Sequence, residues 1–286
     1  MNIQWFPGHM AKTRRLIGEN LKLVDLVVEL LDARAPLSSR NPEIDAICGQ
    51  KPRLLILNKS DLADPAENDR WLAYFKRQGL TAILFDSVHS KSTKQITDAV
   101  HSLLTEQLKR QEERGMKNRA LKLMIVGIPN VGKSSFINRL AGRSAAISGD
   151  RPGVTKGKQW IKLSGGLELL DTPGVLWPKF EDEAVGLRLA FSGAIKDEIM
   201  DTETLGAKLM ETLCERAPEA LVARYKLESL DFENGFYALE AVAKKRGFIV
   251  SKGEYDLLRA AQIVLDEFRS AKIGRITLES AKGEEA

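Results

Sequence analysis

Four short stretches of the chain are almost continuously apolar and end in polar turns: LVDLVVELLDA (Leu23 to Ala33), RLLILNK (Arg53 to Lys59), TAILFDS (Thr81 to Ser87) and LKLMIVG (Leu121 to Gly127). Runs of this length that do not alternate read as strands buried on both faces, the pattern of a parallel sheet. Between them, PEIDAI from Pro42 and PAENDRWLAYFKRQG from Pro65 show helical spacing, the second with Pro at its front and Gly at its back. After Gly127 a glycine-rich turn runs into SSFINRLAGR (Ser134 to Arg143), giving strand, loop and helix in succession. The charged stretch KRQEERGMKNR (Lys109 to Arg119) reads as a helix end plus connector. Beyond about Phe180 the texture becomes helical, in ETLGAKLMETLCER, FYALEAVAKKRG and EYDLLRAAQIVLDEFRSA, with Pro218, Gly247 and Gly253 as punctuation and KGEEA as a frayed end. Strands alternating with helices predict an α/β domain over residues 1–180, mostly parallel with helices on both faces. A smaller all-helical C-terminal domain is predicted over 181–286.

Composition narrows the class. A chain of 286 residues with 43% hydrophobic content can bury one or two cores. Its two cysteines, Cys48 and Cys214, exclude a disulfide scaffold and a four-thiolate metal site and fit a reducing cytoplasm. The first residues lack an apolar signal core, and no run approaches the roughly 20 apolar residues that span a bilayer, so a soluble protein with no membrane partner is expected. The net charge of +4 hides an asymmetry: residues 1–180 carry 28 Lys and Arg against 18 Asp and Glu, the remainder 15 against 21. The basic half is a candidate for contact with an anionic polymer, although a surplus of this size also serves solubility alone. Within the acidic half, the clusters Lys244, Lys245, Arg246 and Arg269, Lys272, Arg275 keep nucleic acid open there as well.

The first chemistry-bearing motif is GIPNVGKSS (Gly127 to Ser135), which fits GxxxxGK[ST] and has a strand before it and a helix after it. A Gly-rich turn lets the amides of Asn130, Val131, Gly132, Lys133, Ser134 and Ser135 face phosphates, and the helix N-terminus adds its positive dipole end. Lys133 would neutralise the β- and γ-phosphates and the Ser134 hydroxyl would bind Mg²⁺. DTPG (Asp171 to Gly174) follows the apolar run LELL about 40 residues later. Its Asp171 would hold Mg²⁺ through water, and the Gly174 amide would sense the γ-phosphate. Between the two, Thr155 in RPGVTKGKQ is the candidate switch threonine that completes Mg²⁺ coordination.

NKSD (Asn58 to Asp61) directly follows LLIL, also at a strand end. A carboxylate at Asp61 accepts from both the ring N–H and the exocyclic amine of guanine, a donor pair that adenine lacks. Asn58 would hold the loops together near the base, and the Lys59 stem would cover the ring face. Alone, the same four residues also read as an Asx turn capping the next helix. Ser87 and Val88, after the third strand, supply a candidate backbone contact to the base carbonyl. GTP and GDP are thus the expected ligands, with GTP hydrolysis the expected reaction. NKSD lies about 70 residues upstream of the phosphate loop, the reverse of an ordinary small GTPase. A parallel sheet tolerates that order because its site is defined by where strands end in space.

WFPGHMAK at the start, NKSD, GIPNVGKSS, RPGVTK and DTPGVLWP together resemble the circularly permuted P-loop GTPases of the YlqF/RbgA family, over residues 1 to about 180. The resemblance implies GTP hydrolysis during late assembly of the bacterial large (50S) ribosomal subunit, with rRNA and ribosomal proteins as partners and stimulation by the particle. It also implies a cytoplasmic, ribosome-associated and monomeric protein. A GTPase switch in another process and a non-catalytic RNA-binding module stand as alternatives. After DTPG the chain has Val175 where Ras-like enzymes carry a water-orienting Gln, so hydrolysis should be slow alone. Among three histidines, His89 lies in the base-side loop and His101 in a helix, leaving His9 as the intramolecular candidate, in agreement with the role proposed for the family's N-terminal histidine. His9 capping a helix or meeting rRNA is the competing reading. Asn130 matches the asparagine that K⁺-activated GTPases use as a cation ligand, which suggests K⁺ as a further activator.

Overall fold

All seven residues of the first strand, Leu26–Asp32 (β1), are buried, which is why its sequence shows no alternation. Leu26, Val28 and Leu30 pack into one cluster, while Val27 and Leu31 enter two others on the opposite face. Two buried carboxylates interrupt its apolar run, Asp32 at its carboxyl end and Glu29, whose carboxylate sits 3.7 Å from Arg40 and 3.6 Å from Arg53. Burial pushes that carboxyl up to about 7, against the pull of both guanidinium groups.

The structure, a computed structural model, describes residues 15, 17–115, 119–142, 160–170, 182–195, 201–250 and 253–281. Around β1 the sheet adds Arg53–Asn58 (β2), Thr81–Leu84 (β3), Leu121–Gly127 (β4), Trp160–Lys162 (β5) and Leu167–Leu170 (β6), in the spatial order β3-β2-β1-β4-β6-β5. Every pairing is parallel except the edge pair β5 and β6. The predicted, mostly parallel α/β sheet is therefore observed. Its antiparallel edge strand, three residues long, carries too few positions to leave a periodic signal. Because the chain builds outward from β1 to β3 and then returns to the other side of β1 with β4, the sheet's crevice lies between the carboxyl ends of β1 and β4.

Helices cover both faces. They are Glu43–Cys48 (α1), Pro65–Arg77 (α2), Lys94–Leu103 (α3), Thr105–Glu113 (α4) and Lys133–Ala141 (α5), followed by Glu183–Phe191 (α6), Thr202–Arg216 (α7), Pro218–Tyr225 (α8), Gly235–Arg246 (α9) and Leu257–Arg269 (α10). Short polar side chains start many of them: Asp64, Asp182, Asp201, Asn234 and Asp256 each accept a backbone N–H of the first turn. That satisfies donors which have no partner inside the helix. Helix α7 runs through the middle of the helical region, against α9 and α10. It approaches α10 so closely that a Cβ on Gly206 would lie 2.5 Å from the Cβ of Ala261, so only glycine fits there.

The end of the chain turns back. The Leu278 amide donates to the Arg34 carbonyl at 2.7 Å, and the Leu37 and Ser38 amides donate to the Glu279 carboxylate at 2.7 and 2.9 Å. Ala281 joins the cluster of Trp71 and Phe75 beneath α2. The frayed end expected at 282–286 lies outside the described residues. Of the basic clusters noted in the sequence, Lys245 pairs with Glu228, Arg246 lies 3.5 Å from Glu267, and Arg269 and Arg275 donate to backbone carbonyls. These four side chains are therefore engaged by neighbouring groups of the fold.

Candidate nucleotide site

At the carboxyl end of β2 the chain leaves the strand with Asn58 buried and Lys59 in a left-handed conformation, φ 58°. The Asn58 Nδ2 donates to the Val131 carbonyl at 2.8 Å, while its Oδ1 accepts from the Ser87 amide at 3.2 Å and the Ser87 hydroxyl at 2.7 Å. Lys59 Nζ donates to the Asn130 carbonyl at 2.8 Å and lies 3.1 Å from the Asp32 carboxylate. One asparagine and one lysine thus tie together the loops that follow β1, β2, β3 and β4. Gly132 is part of the same fit: at φ 99° it favours glycine, and a Cβ there would stand 2.4 Å from Asn58 Nδ2. The capping alternative for NKSD falls, since the helix after it is capped by Asp64.

The phosphate loop begins where β4 ends at Gly127 and closes at the first residue of α5, Lys133. Within it Asn130 has φ 56°, a conformation non-glycine residues rarely adopt and one that clusters at ligand sites. Ser134 and Ser135 are exposed on the first turn of α5. Lys133 folds back so that its ammonium donates to the Gly127 and Ile128 carbonyls at 3.0 and 2.7 Å. Burial pushes that ammonium down to about 8. An anion seated at the helix N-terminus would favour the charged form and draw the lysine toward it. Among the described residues Ser134 offers one hydroxyl oxygen at this turn, a hard donor of the kind Mg²⁺ takes.

On the base side, Asp61 is partly buried, and desolvation followed by the neighbouring Asp86 raises its carboxyl above the usual range. Asp86 accepts from the Val88 and His89 amides at 2.8 and 2.9 Å and from His89 Nδ1 at 2.8 Å. Arg139 of α5 donates to the Ser87 carbonyl at 3.2 Å and to that of Val88. The Ser87 to His89 loop is therefore held at both its amides and its carbonyls, with the side chain of Val88 exposed.

The geometry brings together Asn58, Lys59, Asn130, Val131, Gly132, Lys133, Ser134 and Ser135, with Asp61, Ser87 and Val88 along the β2 and β3 side. His9, Thr155, Asp171 and Gly174 lie outside the described residues. Several residues that shape the site were missed in the sequence. Asp32 binds Arg34 through two bonds, 2.9 and 2.8 Å, and Arg34 is itself buried. Burial opposes ionisation of Asp32, but Arg34 and then Lys59 override it and hold the carboxyl well below the usual carboxylate range. Arg275, near the chain's end, donates to the Ala63 and Ser60 carbonyls at 3.0 Å each and so braces the NKSD turn. The signal for Asp32 and Arg34 was available, two charges directly after an apolar strand; nothing local marks Arg139 or Arg275.

Residues 122–222 match the family described as 50S ribosome-binding GTPase. The chain is 50% identical to ribosome biogenesis GTPase A of Priestia megaterium, over 98% of this chain and 97% of that one. Among solved structures it is similar to GNP-bound YlqF from T. maritima, with 29% identity, a TM-score of 0.65, and 95% and 99% of the two chains covered. The GDP-bound form of TM YlqF gives 28% identity and a TM-score of 0.66, over 94% and 100%. With the permuted strand-end motifs in one hydrogen-bonded unit and a relative half-identical over almost its whole length, the chain belongs to the ribosome biogenesis GTPase A family.

Proposed function

We propose that this protein binds GTP and Mg²⁺ between the ends of β1, β2 and β4, associates in that state with the precursor of the large ribosomal subunit, and leaves when GTP is hydrolysed. The observation that carries the nucleotide reading is the pair of bonds from Asn58 to Val131 and from Lys59 to Asn130. They join a guanine-reading motif to a phosphate loop that lies downstream of it in sequence, so base and phosphates of one nucleotide are read by one rigid unit. The ribosomal reading is supported by the names of the relatives and of the matching family.

In this reading Asp61 selects guanine, Lys59 covers the base, and Ser87 and Val88 line its carbonyl side. The phosphate-loop amides and Lys133 hold the phosphates. Ser134, Thr155 and Asp171 would hold Mg²⁺, which when bound would supply charge neutralisation to the phosphates. Gly174 senses the γ-phosphate, and His9 positions the attacking water in place of the glutamine that Val175 cannot imitate. Residues 1–180 form the GTPase domain and residues 181–286 the part that meets rRNA and ribosomal proteins, in a monomer of the cytoplasm.

Sedimentation of cell extract on a gradient tests this. With a GTP analogue the protein is expected to co-migrate with large-subunit particles, and with GDP to remain at the top. Co-migration in neither state removes the ribosomal assignment. Asn130 is further proposed to ligate K⁺ through its side-chain oxygen, so turnover is expected to be faster in KCl than in NaCl at equal ionic strength. Equal rates count against that role.

A further inference from the structure

The last carbonyls of a helix have no partner within it and must find one elsewhere. At the end of α6 the amides of Ser192, Gly193 and Ala194 take the Arg188, Ala190 and Leu189 carbonyls, and further donors to this turn come from three distant parts of the chain. Arg269 of α10 donates to the Ala190 carbonyl at 2.8 Å and to the Phe191 carbonyl at 3.0 Å. Arg34, held by Asp32, donates to the Ser192 carbonyl at 3.2 Å. Asn130 of the phosphate loop donates its Nδ2 to the Gly193 carbonyl at 2.9 Å. The turn itself is specialised, with Gly193 at φ 78° and the Arg269 side chain only 3.4 Å from where a Cβ would stand.

Asn130 is thereby fixed from two sides. Its backbone carbonyl is taken by Lys59 and its side-chain amide by the end of α6, while its own φ of 56° lies in the left-handed region that asparagine, unlike most residues with a side chain, tolerates. Donation through Nδ2 sets which end of the amide is presented to a ligand, namely Oδ1. This phosphate-loop residue is therefore held from the helical region as well as from the base-side loop.

We infer that Arg269 is a positioning residue for GTP hydrolysis: it holds the terminal turn of α6, and that turn orients Asn130 in the phosphate loop. The inference rests on the reading of Asn130 as part of the nucleotide site. It supplies a direct link between the helical region and the phosphates. Such a link is reciprocal in binding free energy, so a ligand of the helical region that favours one setting of this turn would change nucleotide affinity by the same factor that nucleotide changes its own.

A double-mutant cycle on the full-length protein tests it, with Asn130→Ala, Arg269→Met and the two combined, each assayed for kcat of GTP turnover and for GDP affinity. Asn130→Ala is expected to lower kcat. Arg269→Met is expected to lower it about fivefold or more, the lower end of typical couplings between sites, while GDP affinity changes much less. In the Asn130→Ala background Arg269→Met should cause no further loss, and Arg269→Lys, which keeps a cationic donor without the fork that spans both carbonyls, should recover part of the activity. A merely structural arginine would give the same fractional loss in both backgrounds, and that additivity overturns the proposal, as does an unchanged kcat in Arg269→Met. An unchanged kcat in Asn130→Ala instead overturns the underlying assignment of Asn130, and the proposal with it. Should Arg269→Met not fold, Gly193→Ala disturbs the same turn from the other side, and its effect on kcat must likewise vanish in the Asn130→Ala background for the proposal to stand.

Discussion

Lys133→Ala is expected to lower kcat for GTP by about 10²–10³-fold, the usual consequence of removing one preorganised charge from a site where negative charge develops. The fold should survive, because Lys133 lies on the first turn of α5 and its donors serve two loop carbonyls, Gly127 and Ile128, rather than an element of the core. Single-turnover hydrolysis with GTP in excess of its dissociation constant is the measurement. Turnover insensitive to the substitution would remove the phosphate loop from the reaction.

The same side chain gives a pH dependence whose sign is fixed. Burial brings the Lys133 ammonium down to about 8 from an ordinary value of 10.5. Between those two values the unfolded chain binds more protons than the folded one, so this group's contribution to stability rises with pH across that interval. Nucleotide binding runs the other way, since polyphosphate favours the charged lysine. GDP affinity is therefore expected to fall as pH rises above about 8, and titrations across that range should show proton uptake on binding.

The sheet was legible because β1, β2 and β4 are nearly continuous apolar runs buried on both faces, which need no alternation to reveal them; β3, expected to be buried in the same way, lies at an edge with Thr81 exposed and the rest only partly covered. The loops at the strand ends were legible for a different reason: phosphate and guanine chemistry demand particular residues at fixed spacing, and Asn58, Asp61, Lys133 and Ser134 sit at that spacing. What escaped was chemistry made by distance in sequence. Arg275 braces the NKSD turn across more than 200 residues, and Arg139 reaches the base-side loop from α5. Their partners are backbone carbonyls, which every residue has, so no local pattern announces them. The edge strand β5 escaped because it is short, and α8 because it is only eight residues long and is separated by the single residue Ala217 from the end of α7 at Arg216, with Pro218 reading as a break rather than a beginning.

Asp32→Ala is expected to destabilise the protein by about 3–5 kcal/mol, the range found when one partner of a buried ion pair is removed. Arg34 would be left almost completely inaccessible with its bidentate carboxylate gone, keeping among the described residues the Ser192 and Arg269 carbonyls, the Phe268 ring at 5.5 Å and the nearby charge of Asp61. Lys59 would lose its anchor in the same step. Replacing both residues, Asp32→Leu with Arg34→Leu, should cost less than Asp32→Ala alone, because no charge is then stranded. Acid sharpens the comparison. With its folded carboxyl held below the usual range, Asp32 contributes stability that is full above the unfolded value of about 3.9 and lost as pH falls below it, so the gap between wild type and Asp32→Ala should narrow there. Urea unfolding at neutral and acid pH measures both effects, and a cost under about 1 kcal/mol at neutral pH would mean that water replaces the carboxylate. Because Asp32 binds Arg34 on one side and Lys59 on the other, the loss should also loosen the joint between the helical region and the base-reading loop. Asp32→Ala is accordingly expected to weaken GDP binding in conditions where the protein is still fully folded.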